Sequence, residues 1–146
     1  MHLSVTTPRG ALVETEVDEV TAPGVLGEFG VLAGHVPLMS ALKPGVLIYR
    51  AKDHVATLAV GQGFLQVAPV AAASGGALAQ DRVLVLVDQA LTASTIDRAA
   101  AERDLAKADS DLAAWKRELD GEYQALLQRR QWAAARLDAT ARVAPH

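Results

Sequence analysis

Glu28 and His35 lie within one short glycine- and proline-rich string, GEFGVLAGHVPL at residues 27–38, and a carboxylate facing an imidazole can move a proton. Acid–base work needs a third group to act on or through, and none of the usual ones is present. The chain contains no GxxxxGK[ST] phosphate loop, no HExxH and no GxSxG nucleophile elbow. Gly61-Gln62-Gly63 opens like a dinucleotide fingerprint, but Gln66 stands where the third glycine belongs and no helical pattern follows, so the segment reads as a hairpin turn. His2, His35, His54 and His146 are too scattered for ligand spacing, and with no cysteine the sequence offers no metal centre, no thiol nucleophile and no disulfide. Glu14, Glu16, Asp18 and Glu19 crowd together, yet neighbouring strand residues point to opposite faces, and the run reads as a charged exposed strand. No catalytic set and no cofactor site is therefore expected, and Glu28 and His35 are better read as interface residues.

A second charged feature suits binding. Arg129, Arg130, Arg136 and Arg142 stand against only Glu122 and Asp138 in the last part of the chain. Such arginines either coat a wet helix or dock an acidic partner through bidentate carboxylate contacts.

The elements that must position these residues change period partway along. Up to about residue 93, short Val-, Leu- and Ile-rich runs alternate with Pro and Gly signals, which predicts strands at Leu3–Thr7, Leu12–Val20, Gly45–Arg50, Val55–Val60, Phe64–Val67 and Val83–Val87. A sandwich or flattened barrel follows, with a hairpin turn at residues 51–54. Gly27, Gly30, Gly34 and Pro37 specify a sharp loop between strands. Residues 69–80, PVAAASGGALAQ, carry no period and read as a flexible loop.

From Thr95 the period becomes helical. Ala101, Leu105, Ala108, Leu112, Trp115 and Leu119 form a heptad-like seam, predicting a helix from Ile96 to Leu119, capped by Ser94 or Thr95 and ended at Gly121. A second helix from Glu122 to Arg142 presents Tyr123, Leu126, Leu127, Ala133, Ala134, Leu137 and Ala141, and the short Asp-Gly link makes the pair an antiparallel hairpin. The organisation is thus an N-terminal β-sandwich domain, residues 1–93, followed by a C-terminal helical hairpin domain, residues 94–146. Alanine supplies much of the hairpin seam. At roughly 25 cal/mol per Å² of buried apolar surface, such a hairpin is held weakly enough to detach.

Composition narrows the partners. A net charge of −3 with no basic excess argues against nucleic acid, no apolar run approaches a membrane span, and the first residues lack the pattern of a signal peptide. A cytoplasmic protein with no direct membrane insertion is the expectation.

The string LSVTTPRGALVETEVDEVTAPGVLGEFGVLAGHVPLMSALKPGVLIYR, then FLQV and a helical hairpin, resembles the epsilon subunit of the rotary F-type ATP synthases. The resemblance implies a sandwich of about ten strands with two C-terminal helices, a non-catalytic rotor subunit of the central stalk, peripheral on the cytoplasmic face of a bacterial inner membrane. It assigns Glu28 and Phe29 to the membrane ring of c subunits, and His35, Pro37, Leu38 and Ser40 to the gamma subunit. It implies further that the hairpin extends toward the alpha and beta catalytic subunits and restrains ATP hydrolysis, with Arg129, Arg130 and Arg136 as the docking residues. Relatives that bind ATP at the hairpin use an I/L-D-x-x-R-A motif. Ile96, Asp97 and Ala101 match it, but Ala100 and Trp132 stand where arginines are expected, which removes two cationic phosphate contacts and leaves Arg98 or Arg103 as substitutes. Ala33 also replaces a proline of the loop, and residues 70–80 look like an insertion. The rival reading is a free-standing β-sandwich binding module whose helical hairpin oligomerises.

Overall fold

The computed structural model describes residues 1–70 and 80–142. Ten strands come first: β1 (His2–Thr7), β2 (Gly10–Glu16), β3 (Glu19–Gly24), β4 (Gly27–Leu32), β5 (Leu38–Leu42), β6 (Gly45–Ala51), β7 (His54–Val60), β8 (Gly63–Val70), β9 (Gln80–Val87) and β10 (Ala90–Thr92). A 3₁₀ turn at Ala93–Thr95 leads into α1 (Arg98–Ala113) and α2 (Gly121–Ala141).

Strand pairing divides the sandwich into two layers. β10-β7-β6-β3 with β4 beside β3 makes one, β5-β8-β9-β1-β2 the other, and the single bridge Gly24–Leu42 joins them. β1 and β9 pair in parallel, the remaining pairs antiparallel. The core between the layers is aliphatic: Leu3, Val20, Leu47, Leu58, Leu65 and Val85 are among its fully buried side chains. Alternation along each strand sends the intervening residues outward, and on β6 and β7 the outward set is itself small and apolar.

That outward set seats the hairpin. Val46 and Ala59 are buried under Ala93 and Ala139, with Ile48, Ile96 and Trp132 packed around them. α2 therefore lies down on β6 and β7 with α1 stacked along it. Ala135 and Ala139, four apart on one side of α2, are buried, and their short side chains let the helix backbone approach the sheet.

Several expectations need correction. The stretch Leu12–Val20 is two strands, because Val17-Asp18 turns the chain: Asp18 Oδ2 accepts from Lys52 N–H at 2.7 Å and from Arg50 Nη1 at 3.5 Å. The loop expected over residues 27–38 is largely strand, β4 and the first residue of β5 flanking a short turn. Gly34 in that turn has φ +84°, and its N–H donates to Asp81 on β9. Gly61–Gly63 joins two strands that do not pair, so it is a crossover between layers, and a Cβ on Gly63 would lie 1.9 Å from the Leu86 carbonyl. The loop expected over residues 69–80 is strand at its ends, where Pro69 pairs with Asp81 and Val70 with Gln80; the rest of it lies outside the described residues.

The first helix starts and stops inside its expected bounds. Asp97, not Ser94 or Thr95, caps it, its Oδ1 accepting from Ala100 N–H at 3.0 Å. It ends at Ala113, giving 16 residues and about 24 Å instead of a longer rod. Trp115 folds back so that its ring lies 5.5 Å from Tyr123, while Leu119 at the end of the seam pattern is exposed. Gly121 opens α2 where it was expected to close α1, because Asp120 Oδ1 accepts from the N–H groups of both Glu122 and Tyr123.

Candidate functional site: two sandwich surfaces and a hairpin

Glu28 and His35, read from the sequence as interface residues and not as an acid–base pair, do not contact each other. Glu28 Oε2 accepts from Arg142 Nη1 at 3.2 Å, and His35 Nδ1 donates to the Val36 carbonyl at 2.7 Å, so each is held by a different neighbour. No group of metal-ligating residues stands together among the described residues.

Alternation separates the residues assigned to the ring. On β4, Glu28 points out, whereas Phe29 turns under the sheet and packs on the core. Its ring lies so near Gly24 that a Cβ there would meet it at 2.9 Å. The exposed companions of Glu28 are Val25 and Leu26 at the β3–β4 tip, Leu26 being fully exposed. These two were missed by sequence reading, although an apolar dipeptide between Gly24 and Gly27 is its own signal. A broad groove beside the tip is lined by Val25, Leu26, Glu28, Met39 and Ala41.

The same rule divides the residues assigned to gamma. Leu38 packs against the core and Ser40 is half-buried, while Pro37 is exposed and His35 half-buried in the turn. The outward members of β5 are Met39 and Ala41. Ala41 pairs with Phe64 on β8, and Phe64 with Leu86 on β9. Met39, Phe64 and Leu86 are 66%, 54% and 47% exposed, so this layer carries an open apolar face where the other carries the hairpin. Met39, Phe64 and Leu86 lie an odd number of residues from the core side chains Leu42, Leu65 and Val85, so strict alternation from those would have located them.

The arginines of α2 are mostly engaged. Arg130 pairs with Asp109, and Arg136 Nη2 lies 2.8 Å from Asp104 Oδ2, both across the helix pair. The Arg136 guanidinium also stands 5.7 Å over the Trp132 ring, and its Nε is buried without a hydrogen-bond partner. Arg129 is exposed and has no ion pair among the described residues. Ile96 sits in the hairpin seat, and Asp97 is spent on capping α1. A groove of about 300 Å³ between the helices is lined by Asp104, Lys107, Asp111, Arg129, Trp132 and Arg136 among others, acids and bases mixed.

His2 stands between two carboxylates. Its Nε2 lies 3.0 Å from Glu14 and its Nδ1 3.1 Å from Glu16. The Glu14 hydrogen bond above all raises its pKa against partial burial. The Ser4 hydroxyl, donating at 2.7 Å, lowers that of Glu14, and His2 adds to the effect.

The molecule is a two-layered sandwich with an apolar face open on one layer and a helical hairpin covering part of the other. Residues 1–93 match the family described as ATP synthase, Delta/Epsilon chain, beta-sandwich domain. The chain is 43% identical over 135 residues to an ATP synthase epsilon chain of Syntrophotalea carbinolica, covering 88% of this chain and 87% of that one. It is 40% identical over 142 residues to the epsilon chain of an Anaeromyxobacter species, covering 97% and 98%. The chain belongs to the family of ATP synthase epsilon chains, the non-catalytic subunits of that complex.

The fold recurs in solved assemblies. A chain of the Euglena gracilis mitochondrial ATP synthase, in a structure of OSCP, F1 and c-ring, superposes with a TM-score of 0.65 at 20% identity, over 95% of this chain and 76% of that one. A chain of the Tetrahymena thermophila central stalk and c-ring gives 0.58 at 17% identity, over 96% of each.

Proposed function

We propose that this chain works in the central stalk of a proton-translocating F-type ATP synthase, held between the gamma subunit and the ring of c subunits, peripheral to the cytoplasmic face of a bacterial inner membrane. The observation that carries the reading is the uneven covering of the sandwich. The hairpin buries Val46 and Ala59 on β6 and β7, whereas Met39, Phe64 and Leu86 on the other layer, and Val25 and Leu26 at the β3–β4 tip, are left exposed among the described residues. An apolar face bounded by polar residues such as Gln66 and Thr6 suits a permanent protein contact. The gamma subunit takes this face together with the turn at His35 and Pro37. The tip with Glu28 meets the ring, and Phe29 supports it from beneath.

The hairpin supplies the regulation. Released from its alanine-rich seat, it reaches the catalytic subunits and restrains hydrolysis, with Arg129 free to dock an acidic segment at once. Arg130 and Arg136 join by exchanging Asp109 and Asp104 for the new partner. Nucleotide binding at the hairpin is not part of this reading, since Ile96 and Asp97 serve packing and capping. Two measurements test it. Co-expressed with gamma, the chain purifies with it at a fixed one-to-one ratio; a chain that purifies without gamma overturns the stalk role. Replacing Arg129, Arg130 and Arg136 by alanine raises the hydrolysis rate of the assembled complex, and an unchanged rate overturns the docking role.

A further inference from the structure

Arg142 follows the last residue of α2, yet its guanidinium reaches back across the molecule to Glu28 on β4, a contact between residues 114 apart in sequence. The same group lies 3.5 Å from Asp138, one turn earlier on the helix. Between α2 and the sandwich here is a groove of about 510 Å³, lined by Glu28, Lys43, Pro44, Arg130, Asp138 and Arg142 among others. The last buried apolar residue of the hairpin seat is Ala139. Beyond it, the Arg142–Glu28 pair is the polar clasp that ties the end of the hairpin to the sandwich.

Glu28 is also the acid beside the exposed Val25-Leu26 tip. When the hairpin lies down, Arg142 engages Oε2 of the half-exposed Glu28 and offsets its charge, which weakens what that carboxylate can offer to another cationic or N–H-bearing partner. We propose that Glu28 is a shared docking group: Arg142 claims it in the folded-down chain and the hydrogen-bond donors of the ring's polar loops claim it on assembly. Ring docking and the seating of the last turn of α2 then oppose one another, a coupling that linkage makes reciprocal. This rests on the ring contact proposed above. Because the pair is solvent-exposed, the coupling is modest, about two- to fivefold.

Two arms of one experiment separate the clasp from the ring. In the isolated full chain, hydrogen exchange of the amides at residues 135–141 reports the clasp. Glu28→Gln and Arg142→Gln each speed it about two- to fivefold, and the double variant speeds it no further than Arg142→Gln alone. Unchanged exchange in the single variants, or effects that multiply in the double, overturns the clasp. In the second arm, purified detergent-solubilised c-ring is titrated with the full chain. Arg142→Gln binds about two- to fivefold tighter than wild type, because the internal competitor is gone. Equal or weaker binding overturns the sharing. Wild-type chain that shows no affinity for the ring overturns the ring reading and the sharing together, while the first arm still decides the clasp alone.

Discussion

His2, Glu14, Glu16 and Ser4 show how much of a side chain's role is set by the strand opposite it. β1 and β2 pair His2 with Glu16 and Ser4 with Glu14, so residues that look scattered along the chain form one charged cluster. The raised pKa of His2, due first to Glu14, means that the cluster favours the folded state fully below the ordinary imidazole value and loses that contribution as pH rises through the raised one. Glu14, lowered first by Ser4, contributes above the ordinary glutamate value and loses it as pH falls through the depressed one. Urea midpoints of wild type should therefore fall across the His2 window, and His2→Gln should flatten that fall; an unchanged slope would show that His2 is not responsible. The charged exposed strand was legible, since Glu14 and Glu16 are both exposed; that they meet His2 and Ser4 was not, because the partner strand is set by topology. The residues assigned to the ring and to gamma were half legible for a similar reason. Glu28 and the His35 turn are readable from residue types, but which neighbour faces outward depends on pleat phase, which puts Phe29 and Leu38 inside and Met39 outside.

Helix α2 is the element on which regulation turns. Its seat on β6 and β7 uses Val46, Ala59, Ala93 and Ala139, and such small residues bury little surface for the length they cover. Leucine at position 139, fully buried, should overpack the seat at a cost of about 1–3 kcal/mol and lift the helix away. In a Trp115→Phe background, Trp132 is the sole tryptophan, and its emission should shift to the red in Ala139→Leu; an unshifted spectrum would mean that the seat tolerates bulk and is not what holds the hairpin. The existence of both helices was plain from the change of period at Thr95. Their junction was not, because Asp97 and Asp120 compete as caps with Ser94, Thr95 and Gly121, and backbone geometry alone decides which side chain reaches the free N–H groups.

At the scale of the whole molecule, two layers joined by one bridge are closed by an aliphatic core that owes nothing to the hairpin. Residues 1–93 alone should fold and keep a cooperative thermal transition, since truncation uncovers only the small outward residues Val46 and Ala59 and the neighbouring Ile48; a truncated chain without such a transition would show that sandwich and hairpin are one folding unit. The sandwich was legible in the punctuation of short apolar runs by Pro and Gly. The layer order was not, because parallel pairing of β1 with β9 joins segments from opposite ends of the sandwich and leaves no local signature. What the molecule offers a partner is the face that the hairpin leaves open, and the stalk role stands on it. The most direct test is titration of purified gamma subunit with the full chain and with a Phe64→Asp, Leu86→Asp variant. Both side chains lie outside the core; with the variant's thermal transition measured alongside to establish that it folds despite the facing like charges, the loss of two apolar anchors should weaken binding about a hundredfold or more. Binding as tight as that of wild type would contradict the assignment of this face to gamma.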